Sequence, residues 1–148
     1  MKILLLAGGR AAGAPETAQA REYLGRAGAA GRRIGLSEAS LVEIDERKLD
    51  HLRHVPKGGV VIAFDEHGDN LSSLELASRI RRHLEGGVPA LCFAIGAADG
   101  LPPEVKAAAR QTLAFGRATW PHMLVRVMAA EQIYRAVTIL TDHPYHRS

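Results

Sequence analysis

The residues best suited to do chemistry lie in the last third of the chain. Ile95–Gly100 reads IGAADG, Thr119–Val137 reads TWPHMLVRVMAAEQIYRAV, and His143–Ser148 reads HPYHRS. An imidazole can take up a proton near neutral pH, a phenol can donate a hydrogen bond, and a guanidinium can grip a phosphate with a planar fork of donors. Chain termini fray unless something ties them down. Tyr145, His146 and Arg147 in such a position therefore read as a working tail, and their removal should cost little of the apolar core. His122, directly after Pro121 at the start of an apolar helix, adds a second imidazole. His143 and His146 lack a supporting ligand set, so no metal site is expected.

Glycine-rich turns supply the other half of the chemistry. Gly96–Gly100 follows one apolar run, Asp65-Glu66-His67-Gly68 follows another, and Gly116-Arg117-Ala118-Thr119 follows a third. Glycine allows the backbone to approach a flat ligand and present its N–H and C=O groups. Open α/β sheets bind ligands beyond the carboxyl ends of their strands, where these turns would fall. Neither G-x-G-x-x-G nor a P-loop pattern occurs; Gly8-Gly9-Arg10 lacks both the third glycine and the lysine with Ser or Thr. A classical dinucleotide enzyme and an NTPase are thereby disfavoured. Trp120 is cheapest as core or pocket wall. Asp65 and Glu66 read as structural, and Glu131 with Arg135 as a solvated or interface ion pair.

The elements that must position these groups are legible from pattern. Lys2–Ala7 is a continuous apolar run ending at Gly8-Gly9, as a buried strand would be. Glu16–Ala30 favours helix, Ser40–Ile44 strand, and Glu46–His54 a short charged helical turn. Val60–Phe64 reads as a buried strand, and Ser72–Leu84 as a helix capped by Ser72 or Ser73 and stopped at Gly86-Gly87. Val88–Ile95 is strand-like, Pro102–Ala109 a helix opened by proline, and Gln111–Phe115 a short strand. Pro121 to about Leu140 is a helix apolar on most of its circumference. Alternating strands and helices predict a single α/β domain, residues 1–148, with a mainly parallel sheet flanked by helices. The surplus apolar face of the last helix predicts a homodimer.

Composition bounds the remaining classes. The chain has 148 residues, 47% hydrophobic and 24% charged, with 19 basic against 16 acidic residues. That is ordinary for one globular domain, and a net charge of +3 permits RNA binding without demanding it. No run approaches the ~20 apolar residues of a membrane span, and the amino-terminal run is too short for a signal peptide. A cytoplasmic protein without membrane contact is expected. Cys92, the only cysteine, sits in an apolar strand and reads as a buried, inert thiol.

FDEHGDNLSS at Phe64–Ser73, IGAADG, WPHMLVRVMAAEQIYRA and HPYHR occur in an order and at positions that resemble the knotted methyltransferases of the RlmH type, within the SPOUT superfamily. The resemblance covers Val60–Ser148. It implies a carboxyl-terminal trefoil knot whose loops hold S-adenosyl-L-methionine, and methylation of N3 of a pseudouridine in 23S ribosomal RNA, within the large subunit or assembled ribosome. Carried over by position, cofactor contacts fall to Phe64, Gly96, Phe115, Gly116, Arg117, Ala118, Thr119 and Trp120. Catalytic roles fall to His122, Tyr145, His146 and Arg147. The tail would close over the cofactor pocket, in the family manner that of the partner subunit. Departures lie in the first half, shortened between the Ser40 and Val60 strands and extended over Gly25–Glu38, and in Gly96-Ala97-Ala98, where a second glycine is common. They bear on RNA docking more than on cofactor chemistry. A methyltransferase for another RNA and a non-catalytic RNA-binding module are the alternatives.

Overall fold

The computed structural model describes residues 1–147; Ser148 lies outside them. Five parallel strands, β1 (Lys2–Gly8), β2 (Glu38–Ile44), β3 (Val60–Asn70), β4 (Ala90–Ile95) and β5 (Gln111–Ala114), form one sheet in the order β2-β1-β4-β3-β5. β1 and β4 are buried along nearly their whole length, which is why they read as unbroken apolar runs rather than alternating ones.

The sheet is covered on both faces. Ile3, Leu5, Phe93 and Ile62 point to a large core beneath α1 (Pro15–Gly31), α2 (Ser73–Glu85) and α4 (His122–Leu140). On the opposite face Leu4, Leu6, Val61 and Ala94 pack under α3 (Pro103–Ala108) and the short 3-10 turn His51–His54. Much of α4 is consumed in its own chain: Ala129, Ala130, Ile133, Tyr134, Ala136 and Val137 are buried. The exposed apolar surface of α4 is narrower than the sequence alone implies: Leu124 (41% exposed) is its one exposed large apolar residue among those described, with Trp120 (42%) just before the helix.

Local chemistry sets the boundaries. Ser72 is the N-cap of α2: its hydroxyl accepts from the Glu75 N–H at 3.1 Å while the Glu75 carboxylate accepts from the Ser72 N–H at 2.6 Å, a capping box. Hydrogen bonding to Ser72, its backbone N–H first and then its side chain, holds the Glu75 carboxyl below its ordinary range. Cys92 is fully buried, and burial pushes its thiol up to about 11, leaving almost no nucleophilic thiolate near neutral pH.

Two expectations need correcting. β3 does not stop at Phe64; the strand bulges over Asp65–Gly68 and rejoins β5, so that Phe64 and Asp69 both oppose Leu113. Gly68 is required there, because a Cβ would lie 2.6–2.7 Å from the Leu113 and Thr112 backbone. The Glu46–His54 segment is helical only over His51–His54, and His51 is not a surface group. It is fully buried, with Nε2 2.9 Å from the Ile95 carbonyl oxygen, at the root of the Gly96 turn.

Candidate active site

A cavity opens beyond the carboxyl ends of β3, β4 and β5. Phe64 ends the straight part of β3 and stacks on Phe115 just past β5, with ring centroids 4.9 Å apart and planes 10° from parallel. The Gly96–Gly100 turn forms one wall, and Thr119, Trp120 and His122 form the other. His122 is the first residue of α4 and half-buried, so its ring stands where the exposed loop passes into the helix. Lys106 of α3 closes the rim and pairs with Asp65 at 3.6 Å.

The Gly96 wall is rooted in the core. Gly96 is itself buried, and a Cβ on it would lie 2.6 Å from the Gly100 oxygen and the Leu101 nitrogen. Its missing side chain makes room first for its own loop, while its backbone stays in the cavity lining. Behind it, a Cβ on Gly8 would come within 2.6 Å of the Ala97 nitrogen, so the end of β1 presses on the same turn.

Arg126, one turn into α4 from His122, holds that end of β1. Its guanidinium donates to the Gly8 and Gly9 carbonyls at 3.2 and 2.8 Å and to the Thr17 hydroxyl at 2.9 Å. It pairs with Glu43 at 3.5 Å, and Glu43 also accepts from the Ala11 N–H and pairs with Arg21. Burial lowers the Arg126 pKa and Glu43 opposes that shift. An arginine that is 1% exposed, on a helix whose pattern is apolar, has no local signal in the sequence.

The Phe115–Trp120 loop is mostly exposed. Gly116 turns with φ +82° and donates its N–H to Asn70 Oδ1 at 2.9 Å; the Thr119 hydroxyl donates to Glu66 at 2.6 Å, and Trp120 Nε1 to the Phe115 carbonyl at 2.8 Å. Phe115, Thr119 and Trp120 line the cavity. Gly116, Arg117 and Ala118 form the outer bend and do not.

The tail is elsewhere. Tyr145 donates its hydroxyl to Glu131 at 2.9 Å, its ring lies 4.6 Å from that of Tyr134, and Arg135 sits 4.9 Å above its face. Arg135 also holds Glu131 at 2.6 Å and approaches His146 Nδ1 at 3.4 Å. Glu131 and Arg135, expected as a solvated or interface pair, are instead the half-buried dock for the tail. Tyr145 packs against the main core, so removing the tail is not the mild change its terminal position implied. Burial first, then the bond to Glu131, raises the Tyr145 pKa, which keeps the phenol neutral and a donor. Glu131 lies nine residues along α4 from His122, about 13 Å of helix rise. Within one chain the tail therefore does not cover the cavity, whose walls include none of Tyr145, His146 or Arg147.

An aromatic floor, backbone-rich glycine turns and two imidazoles, His67 and His122, in the lining define a small-ligand site of the kind parallel α/β sheets build at their carboxyl ends. The family profile described as "Predicted SPOUT methyltransferase" matches residues 1–146, and the chain belongs to that family. It is 43% identical over 159 residues to a protein of Methylocella silvestris, covering 99% of each chain, and 44% identical over 154 residues to one of Hyphomonas neptunium, covering 100% of each. Both relatives are named ribosomal RNA large subunit methyltransferase H. Among solved structures, a probable methylase family protein from Haemophilus influenzae shares the fold at a TM-score of 0.52 and 10% identity, over 99% of this chain and 70% of that one. A putative methyltransferase from Legionella pneumophila, solved with bound SAM, gives 0.50 at 10% identity over 92% and 66%.

Proposed function

We propose that this protein is an S-adenosylmethionine-dependent methyltransferase that modifies N3 of a pseudouridine in 23S ribosomal RNA, working as a homodimer in the cytoplasm. The observation that carries the reading is the cavity formed by Phe64, Phe115, Trp120 and the Gly96 turn, in a chain over 40% identical, end to end, to rRNA large subunit methyltransferases.

The residues fit the cofactor. The cavity encloses about 380 Å³, within the roughly 300–1,000 Å³ of small-ligand sites. Its stacked phenylalanines offer flat apolar contact, and its two loops offer backbone donors and acceptors for a polar ligand edge. When bound, S-adenosylmethionine supplies an electrophilic methyl group on a sulfonium.

The chain's own groups would do the rest. The N3 of a uracil-type base carries a proton that must leave, and negative charge then builds on the flanking carbonyl oxygens. His122, at the start of α4 in the cavity lining, would accept that proton on a ring nitrogen in this reading, with His67 the other imidazole in the same lining. Tyr145, as a neutral phenol, suits a donor's role rather than a base's, its single proton first leaving its hydrogen bond to Glu131. Arg147 is exposed and suited to a substrate phosphate. Because the tail docks some 13 Å of helix away from its own chain's His122, the partner subunit's cavity is its target in this reading, and the knot of the family encloses the cofactor loops.

The test is single-turnover methylation of ribosomal RNA by cofactor-saturated protein, with mass mapping of the product. Arg147→Ala should leave folding and cofactor binding intact while lowering the rate by about a hundredfold, as loss of one preorganised cation or donor does. A methyl mapped to another nucleotide would redirect the target. Absence of cofactor binding by calorimetry would end the enzyme reading.

A further inference from the structure

Past the Asp65–Gly68 bulge lies a second cavity, a groove of about 820 Å³ running beside the edge strand β5 toward the carboxyl-terminal end of α2. His67 lines both cavities, so the groove leads into the candidate active site. Arg79, Arg82 and His83 from α2 and Arg110 at the start of β5 face it, against the single acid Asp69.

This charge is uncompensated. Among the described residues Arg79, Arg82 and Arg110 take part in no salt bridge, as is also true of Arg10, Arg32, Arg33, Arg81, Arg117 and Arg147; what sets the three apart is that they converge on one groove. His83 feels it: its pKa is lowered by burial first, and then by Arg110, Arg82 and Arg79. The dipole of α2 favours cations in its last turn, which accounts for Arg82. It does not account for Arg110, brought in from another element. Like charges gathered this way work against folding, so the arrangement points outward, to an anion. A protein interface would want an apolar centre, and Val88 and Ala109, both half-buried, with buried Ile62, are the only apolar side chains in the lining.

We infer that the groove is a docking track for the phosphodiester backbone of the RNA strand that delivers its base to the pocket, with Arg79, Arg82 and Arg110 each engaging a phosphate. The inference rests on the RNA-methylating reading and adds where the RNA lies. Guanidinium forks match phosphate oxygens two at a time. Such contacts fix register without reading sequence, and the track therefore serves any strand while the pocket selects the base.

The experiment compares intact protein with the variant Arg79→Gln/Arg82→Gln/Arg110→Gln. Each is titrated with a hairpin fragment of 23S ribosomal RNA and an unrelated hairpin of equal length, across about 50 to 200 mM salt. Three lost phosphate contacts should flatten the plot of log affinity against log salt by about 2–3 and weaken both RNAs alike, since each contact carries roughly 0.7–0.9 of slope. Adenosylmethionine affinity by calorimetry should stay as it was. The Arg→Lys triple variant should keep most of the slope, and each single Arg→Gln change should remove about one phosphate's share, which preserves the test if the triple variant folds poorly. Unchanged slope and affinity in a folded variant would overturn the assignment while leaving the methyltransferase reading intact. A variant that binds RNA normally but changes oligomeric state by light scattering would overturn it too, because the groove would then be a subunit interface. If the intact protein binds neither hairpin, the track and the RNA substrate fall together.

Discussion

The Gly96–Gly100 wall of the cavity is held from behind by buried groups, whereas beyond Phe115, which stacks on Phe64, the 116–120 wall is held by three polar contacts among exposed residues. On the first side His51 meets the Ile95 carbonyl, the end of β1 presses on Ala97, and Arg126 fixes that end through two carbonyls. On the second, Asn70, Glu66 and the Phe115 carbonyl each accept one bond from the loop. A solvent-accessible hydrogen bond is worth about 0.5–1.5 kcal/mol net, so the outer wall can open at small cost. The inner wall can move only if the core does. Fixed shape and adaptable closure are thus assigned to different strands of one sheet, and the part that must admit a substrate is drawn from the weakly held side.

The comparison is most exposed to failure at Arg126. Arg126→Met keeps most of the side-chain volume but leaves Glu43 with a weaker set of partners and two buried carbonyls without their donor. Breaking a buried pair from one side costs about 3–5 kcal/mol, and urea denaturation should show a loss of that order with cofactor affinity falling alongside. Adding Glu43→Gln should restore part of it. A loss under about 1 kcal/mol, the range of exposed pairs, would mean that the inner wall does not depend on this network.

Gly96→Val comes next. The added carbons meet the Gly100 and Leu101 backbone, so the turn itself must shift. Overpacking of this kind costs about 1–3 kcal/mol, and cofactor binding should fall at least tenfold because the wall is displaced. Gly116→Ala gives the contrast. Nothing lies within 4 Å of that Cβ, and the strain comes only from φ +82°, about 1 kcal/mol. Equal calorimetric losses at both glycines would erase the distinction between a wall limited by space and one limited by backbone conformation.

How much of this is legible in the sequence follows the same divide. Strand runs such as Lys2–Ala7, the Ser72 cap, the buried Cys92 and the glycine turns announce themselves because their causes are local: burial on both faces, a side chain bonding its own backbone, a positive φ. Arg126 and His51 do not, because their partners are remote in sequence; Gly8 and Ile95 reach them only once the sheet is assembled. The bulge after Phe64 is hidden for a related reason. Asp65-Glu66-His67-Gly68 has the composition of a loop, and only pairing with β5 makes it part of a strand. The tail reads as functional from its residue types, but its dock on Glu131 and Arg135 depends on how the chain turns back after α4.

The smallest expected effect gives the finest test. Thr119→Val replaces the hydroxyl that donates to Glu66 with a methyl of nearly the same size, at a position exposed to solvent. Water can satisfy the freed carboxylate oxygen, so global stability should change by no more than about 0.5 kcal/mol. The loop nevertheless loses one of its three tethers, and the open arrangement of residues 116–120 becomes more populated. If the cofactor needs this wall closed, its apparent affinity falls by the competent fraction, a factor of roughly two to ten for the loss of one such bond. Amide exchange across 116–120 should quicken by a matching factor, while exchange over Leu91–Ile95 stays unchanged. A loss of about 2 kcal/mol or more in denaturation, beyond the usual range of surface changes, or exchange that quickens equally in both walls, would show the outer loop to be as firmly built as the inner one. In the proposed homodimer, closure over the ligand would then fall to the tail of the partner subunit.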